Sequence, residues 1–189
     1  MSNDELLVFA DEQDGGIPPV EKKEAPWKIL IVDDEEQIHA ATRFALKGVV
    51  FAQRELAISS AYSAAEALQV LGQQNDFACI FLDVVMESER AGLHLVTQIR
   101  EVLLNESVRI ILRTGQPGYA PEMEVIQRYD INDYKAKSEL TRDKLLTTLI
   151  TALRSYQQLK AIESSREGLE MILDASTQLF SVRYVSQFA

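Results

Sequence analysis

Five residues of this 189-residue chain carry groups that could do chemistry together: Asp33, Asp34, Asp83, Thr114 and Lys137. Asp33 and Asp34 follow the run Lys28-Ile29-Leu30-Ile31-Val32, and Asp83 follows Ala78-Cys79-Ile80-Phe81-Leu82. Thr114 follows Val108-Arg109-Ile110-Ile111-Leu112-Arg113, and Lys137 closes a segment that opens at Asp130-Ile131-Asn132-Asp133-Tyr134. Three carboxylates at one edge repel; at about 5 Å and an effective dielectric near 20, each pair costs roughly 3 kcal/mol. A cation must offset that, and hard carboxylate oxygens without His or Cys beside them suit Mg²⁺. Such a site is poised to accept a phosphoryl group. Asp83, alone at the end of the third strand pattern, is the natural nucleophile. Lys137 would stabilise the phosphoryl oxygens, and Thr114 would hydrogen-bond one of them.

The elements that must position these groups follow from the pattern between them. Short apolar runs ending abruptly in polar residues read as buried parallel strands. Strands are expected at 28–33, 55–61, 78–83, 108–113 and 131–135. Helices are expected near 36–47, with Ile38, Ala41, Ala45 and Leu46 as its apolar stripe, and 64–73, capped by Ser63 and Glu66. Others fall at 92–104, with Leu95, Ile99, Val102 and Leu103 inward, and 121–129, opened by Pro121. A last helix starts at Thr141, a candidate cap, and Gly48 ends the first. Strands alternating with helices imply an α/β, doubly wound, five-stranded parallel sheet covered on both faces. Its ligand site lies outside the carboxyl ends of the strands, which gathers Asp33, Asp34, Asp83 and Thr114. His39 and His94 have no second ligand nearby in sequence and read as surface or structural residues.

In order and spacing these residues resemble the receiver domain of two-component response regulators, over about residues 27–155. The matching motifs are Val32-Asp33-Asp34-Glu35, Leu82-Asp83-Val84-Val85-Met86, Arg113-Thr114-Gly115 and Asn132-Asp133-Tyr134-Lys135-Ala136-Lys137. The resemblance implies a flavodoxin-like strand order 2-1-3-4-5 and a regulatory domain, not an enzyme in its own right. It makes Asp83 the acceptor of a phosphoryl group from a histidine kinase or phosphotransfer protein. Mg²⁺ would be held by Asp33, Asp34, Asp83 and the Val85 backbone carbonyl. Lys137 would be the site lysine, with Thr114 and Tyr134 as the switch pair. The chain departs from the family in three places. Ser138 stands where proline usually follows the lysine. Glu87-Ser88-Glu89-Arg90-Ala91 lengthens and charges the loop after Asp83. Lys135 lies two residues before Lys137, and strand alternation would put both on one face.

Composition bounds the remaining choices. A net charge of −10 argues against a nucleic-acid binder, and 47% hydrophobic residues suffice for a full core. No apolar run of membrane-spanning length occurs, and the acidic N-terminus is unlike a signal peptide, so a cytoplasmic protein without membrane contact is expected. Cys79, inside an apolar run, reads as a small core residue. Residues 1–26 carry seven acidic and two basic side chains and read as an acidic flexible tail, in which Leu6-Leu7-Val8-Phe9 forms an apolar island. Residues 27–155 form the receiver, and 156–173 a continuing signalling helix. Residues 174–189 read as the start of a truncated second domain. Leu145, Leu149, Ala152, Tyr156 and Leu159 approach a heptad and suggest a homodimeric coiled coil. The alternative is one amphipathic helix lying on a domain absent from this chain.

Receivers of similar sequence often precede a GAF-like sensory domain and an HD-GYP cyclic-di-GMP phosphodiesterase; that output is implied by resemblance alone. Two rival readings use the same residues. A pseudo-receiver would keep the fold as an interaction or dimerisation module without phosphorylation, as Ser138 and the acidic loop suggest. An aspartyl-nucleophile hydrolase needs a second acid two residues after the nucleophile, and position 85 is valine.

Overall fold

The computed structural model describes residues 24–115, 131–137 and 141–185, with side chains followed as far as Ser176. The elements run β1 (Trp27–Val32), α1 (Glu36–Ala45), β2 (Val50–Phe51), β3 (Arg54–Ala61), α2 (Ala64–Gln73), β4 (Cys79–Asp83) and α3 (Ala91–Thr97). They continue with β5 (Arg109–Thr114), β6 (Asp133–Ala136) and α4 (Arg142–Val185). The sheet order is β2-β3-β1-β4-β5-β6. Without β2 this is the expected five-strand order, and all pairings from β3 to β6 are parallel.

β2 corrects the expected count of five. It pairs antiparallel with β3 at the sheet's edge through Val50↔Glu55 and Phe51↔Arg54. The two residues between them, Ala52 and Gln53, both have positive φ, as a tight hairpin turn requires. The usual Asn-Gly signal for such a turn is missing, so the pattern gave no warning.

The two sheet faces bury separate cores because neighbouring strand residues point opposite ways. Leu30, Val32, Ile80, Leu82, Ile110 and Leu112 pack under α2 and α3. Ile29, Cys79, Phe81 and Ile111 pack with Leu46, just beyond α1, and with α4. At α2 the anticipated Ser63 cap is present, with Ser63 Oγ accepting from Glu66 N–H at 3.1 Å; Glu66 Oε2 reaches one residue past the cap and accepts from Tyr62 N–H at 2.8 Å. Thr141 Oγ1 accepts from Lys144 N–H at 3.4 Å, and Gly48 takes a positive φ after α1.

Two helical faces differ from expectation. On α1 the buried residues are His39 and Thr42, and Ala41 is exposed. The sheet face beneath carries polar groups (Asp33, Ser60, Arg113), so hydrogen-bonding side chains face it. After α3 the chain takes a wide turn over Gln98–Val102, closed by Leu103 N–H donating to Gln98 O at 3.0 Å. That turn admits one extra residue and rotates the phase. Ile99 stays buried, Leu103 packs on the core, and Val102 is 71% exposed.

α4 is a single helix of 44 residues, about 66 Å long at 1.5 Å per residue. It passes Leu173 without a break. Leu145, Leu149, Ala152, Leu153 and Tyr156 are buried against the chain's own sheet, and Tyr156 meets Trp27 edge-on at 6.3 Å. The near-heptad spacing therefore serves the internal core over this stretch. Each fully buried leucine there contributes roughly 1.5–3 kcal/mol. Past Lys160 the helix leaves the domain, and Ile162, Leu169, Ile172 and Leu173 are each at least 60% exposed. The expected helix 121–129, the N-terminal tail through residue 23 and Ser138 lie outside the described residues.

Candidate functional site

β1 delivers Asp33 to the sheet's edge, where its N–H donates to Ala61 O at 3.2 Å. Its side chain is fully buried. Asp33 Oδ1 accepts from Glu35 N–H at 3.1 Å, which shapes the turn into α1. The Asp33 carbonyl accepts from His39 Nε2–H at 2.8 Å, and His39 Nδ1 is hydrogen-bonded with Ser60 Oγ at 2.7 Å. Arg43 in turn donates to Ser60 Oγ at 2.9 Å. His39, expected as a surface or boundary residue, is 2% exposed and ties α1 to the end of β1.

Asp83 closes β4 beside Arg113, its register partner on β5. The loop beyond is held by Val84 N–H to Arg113 O at 3.0 Å and Gly92 N–H to Val84 O at 3.1 Å. Gly92 lets α3 approach the backbone of Asp83: a Cβ at that position would lie 2.0 Å from Asp83 O. The charged loop also has a local role, since Glu87 Oε1 accepts from Ala64 N–H at 3.0 Å at the start of α2.

Lys137, just past the end of β6, joins the acidic groups. Its Nζ lies 2.9 Å from Asp83 Oδ2, 2.9 Å from Glu35 Oε1, and 3.1 and 3.2 Å from the two Asp33 oxygens. Lys135 instead pairs with Asp133 at 3.3 Å, so the ammonium at the site belongs to Lys137. Burial opposes the charge on Lys137, but hydrogen bonds to Glu35 and Asp83 and the nearby carboxylates outweigh it and hold its pKa above the usual value. Burial raises the Asp83 pKa, and Asp33 adds to the rise; Lys137 and the Val85 N–H oppose it. Glu35 is pulled below the usual carboxylate range by Lys137. Burial likewise pushes the Cys79 thiol up, as a core residue requires.

The donor set fits a hard divalent cation. Asp33, Asp34 and Glu35 each place a carboxylate oxygen within 4.8 Å of the others. Asp33 Oδ2 and Asp83 Oδ1 are buried acceptors without a hydrogen-bond donor, and Lys137 already stands among these groups as a cation. All these ligands are oxygens, as Mg²⁺ prefers.

The sequence-predicted residues are thus gathered unevenly. Asp33, Asp83 and Lys137 are in contact, and Asp34 lies beside Asp33. Thr114 is buried at the end of β5, one position beyond Arg113 and, by strand alternation, towards the α2–α3 side. Tyr134 is 4% exposed and packs in that same core layer. Val85 lies two residues beyond Asp83, after Val84. Sequence reasoning gave no site role to Glu35 or Arg113 and placed His39 at the surface or boundary. The signal for Arg113 was available, as a cation between Leu112 and Thr114 in a buried strand.

Comparison with known proteins places these observations. The response regulator receiver domain family matches residues 29–150, and a domain of unknown function, DUF3369, matches residues 149–189. The chain is 43% identical over 190 residues to the 3′3′-cGAMP-specific phosphodiesterase 2 of Vibrio cholerae serotype O1, covering 98% of this chain and 36% of that protein. The chain therefore spans about a third of that relative's length. Among solved structures it is similar to a response regulator from Chloroflexus aurantiacus, with TM-score 0.57 and 25% identity over 68% of this chain and 98% of that one. It also matches the signal receiver domain of an HD domain-containing protein from Pseudomonas fluorescens Pf-5, with TM-score 0.58 and 23% identity over 70% and 98% of the two chains. Among the described residues no helix is long and apolar enough to cross a membrane.

Proposed function

Because the chain belongs to the response-regulator receiver family, we propose that Asp83 takes a phosphoryl group from a histidine kinase or phosphotransfer protein and that α4 passes the change onward. The observation that carries this reading is Lys137, whose ammonium bridges carboxylates from β1, the turn into α1 and β4. An Asp83 carboxylate oxygen attacks phosphorus and forms an acyl phosphate. The bond from phosphorus to the donor's imidazole nitrogen breaks, its electron pair stays on that nitrogen, and a proton restores the neutral ring. Lys137 follows the phosphoryl oxygens and gives up part of its contact with Asp33 and Glu35. Asp33, Asp34 and Asp83, with the Val85 carbonyl, would hold Mg²⁺, which when bound supplies charge neutralisation to the transferring group. Thr114 and Tyr134 would read the phosphorylated state on the α2–α3 side.

Residues 27–155 would act as the receiver, 1–26 as a tail, 156–173 as the signalling helix and 174–189 as the start of the next module. Exposed Ile162, Leu169 and Ile172 fit pairing of two chains beyond the core-packed half of α4. The relative's name supports an output acting on a cyclic dinucleotide, cyclic-di-GMP or a related one, in a longer protein. The test is incubation with phosphoramidate and Mg²⁺, read by intact mass. One added phosphoryl group, absent in Asp83→Asn, is the expected result. A folded parent that binds Mg²⁺ and never gains the group would overturn the reading in favour of a phosphorylation-independent interaction module.

A further inference from the structure

Arg113 is a second cation at the site, more deeply buried than Lys137. Its side chain is 3% exposed and sits on β5 in register with Asp83. One terminal nitrogen donates to Thr42 Oγ1 on α1 at 2.9 Å, and the other lies 3.5 Å from Asp33 Oδ2. The guanidinium carbon stands 5.5 Å over the Phe81 ring. Nε and the nitrogen facing Asp33 have no hydrogen-bond partner. A cavity of about 100 Å³ beside them is lined by Ile38, Thr42, Ala45, Lys137 and Leu145 among others. Burying a guanidinium with so few hydrogen bonds is costly, and an apolar side chain would fill the same place without that cost. Some part of the site must use the charge.

We infer that Arg113 is a positioning residue that acts through Asp33. It is a fixed counter-charge beneath the metal-binding carboxylates, lowering their hold on a divalent cation and freeing Lys137 to move to a phosphoryl group. Asp33 faces two cations, Lys137 at 3.1 Å and Arg113 at 3.5 Å. When Lys137 shifts towards Asp83, Asp33 keeps Arg113. The buried carboxylate is then never left without a positive neighbour. Thr42 holds the guanidinium in place and so makes α1 part of the arrangement. This inference rests on the proposed metal site at Asp33, Asp34 and Asp83.

The test is calorimetric titration of the full chain with Mg²⁺ in the absence of any phosphoryl donor. Arg113→Gln keeps a hydrogen-bond donor and loses the charge; it should bind Mg²⁺ at least tenfold more tightly than the parent. Arg113→Lys should return the affinity to within about threefold of the parent. Thr42→Val removes the bond that holds the guanidinium and keeps its charge; it should lower thermal stability and leave the affinity within about twofold. Equal affinity of Arg113→Gln and the parent overturns the inference. So does an equal gain in Thr42→Val, which would assign the effect to loosened packing. If Arg113→Gln fails to fold, Arg113→Met takes its place, with the same outcomes. A parent that binds no Mg²⁺ overturns the metal reading itself, a result distinct from unchanged affinity in the variant.

Discussion

Replacing Leu149 by alanine separates the two uses that the long helix makes of its apolar residues. Leu149 is fully buried, in a cluster with Trp27, Ile29, Phe81 and Ile111. The substitution removes three carbons, worth about 2.4 kcal/mol at 0.8 kcal/mol per buried methylene. The cavity left in a two-layer contact adds about 1 kcal/mol, so a loss of about 3–4 kcal/mol is expected. For a receiver of this size that lowers Tm by about 11–15 °C. Urea or thermal unfolding followed by circular dichroism measures it, with sedimentation of the folded protein alongside. The companion double variant, Ile162→Ser with Leu169→Ser, changes residues 66% and 60% exposed. It should leave the receiver's unfolding transition within about 0.5 kcal/mol and abolish the proposed pairing of two chains. A Leu149→Ala protein that loses less than about 1 kcal/mol and turns from dimer to monomer would refute the reasoning, because it would place Leu149 in an intermolecular seam.

Two further outcomes follow from the site. Gly92→Ala should cost at least about 2 kcal/mol and slow phosphoryl uptake at Asp83, because the new Cβ would meet Asp83 O at 2.0 Å; Gly72→Ala on α2, with open space around it, should be neutral or slightly stabilising, and equal effects would defeat the argument. Glu35, whose folded pKa is depressed by Lys137, should contribute stability that is present above its unfolded pKa of about 4.3 and is lost as pH falls through the lower folded value. The difference between the parent and Glu35→Gln in metal-free urea unfolding should therefore shrink on acidification, and a pH-independent difference would count against the Lys137–Glu35 pairing.

The fold was legible wherever burial on both faces of the sheet left continuous apolar runs. β1, β4 and β5 could be read within a residue, and the abrupt polar residue at each end located the site. Legibility failed where one residue changes the geometry without changing the pattern. The turn Ala52-Gln53 uses positive φ without glycine, so β2 was missed. The wide turn at Gln98–Val102 shifted the helical phase and turned Val102 outward. The near-heptad of α4 was ambiguous for a physical reason: one apolar stripe suits a partner helix and a sheet equally well, and only the folded packing of Leu145 to Tyr156 on the sheet decides. Lys137 and Lys135 could not be separated by alternation, because Lys137 lies beyond the last residue of β6 and is free of its alternation. His39 was misplaced and Arg113 overlooked because Ser60, 21 residues from His39, and Thr42, 71 residues from Arg113, are brought to them only by the fold.

The first turns of α4 touch the cavity that Arg113 and Lys137 line, through Leu145. The same unbroken helix carries Ser176 about 46 Å away at 1.5 Å per residue. A rod of that length converts angle into travel. A tilt of about 5° about Leu145 would swing Ser176 by about 4 Å, more than the 2.9 Å that separates the ammonium of Lys137 from Asp83. If α4 relays the receiver's state as proposed, a small shift of its packed turns, from Leu145 to Tyr156, would be enlarged along the exposed part of the helix, with helical stiffness supplying the gain.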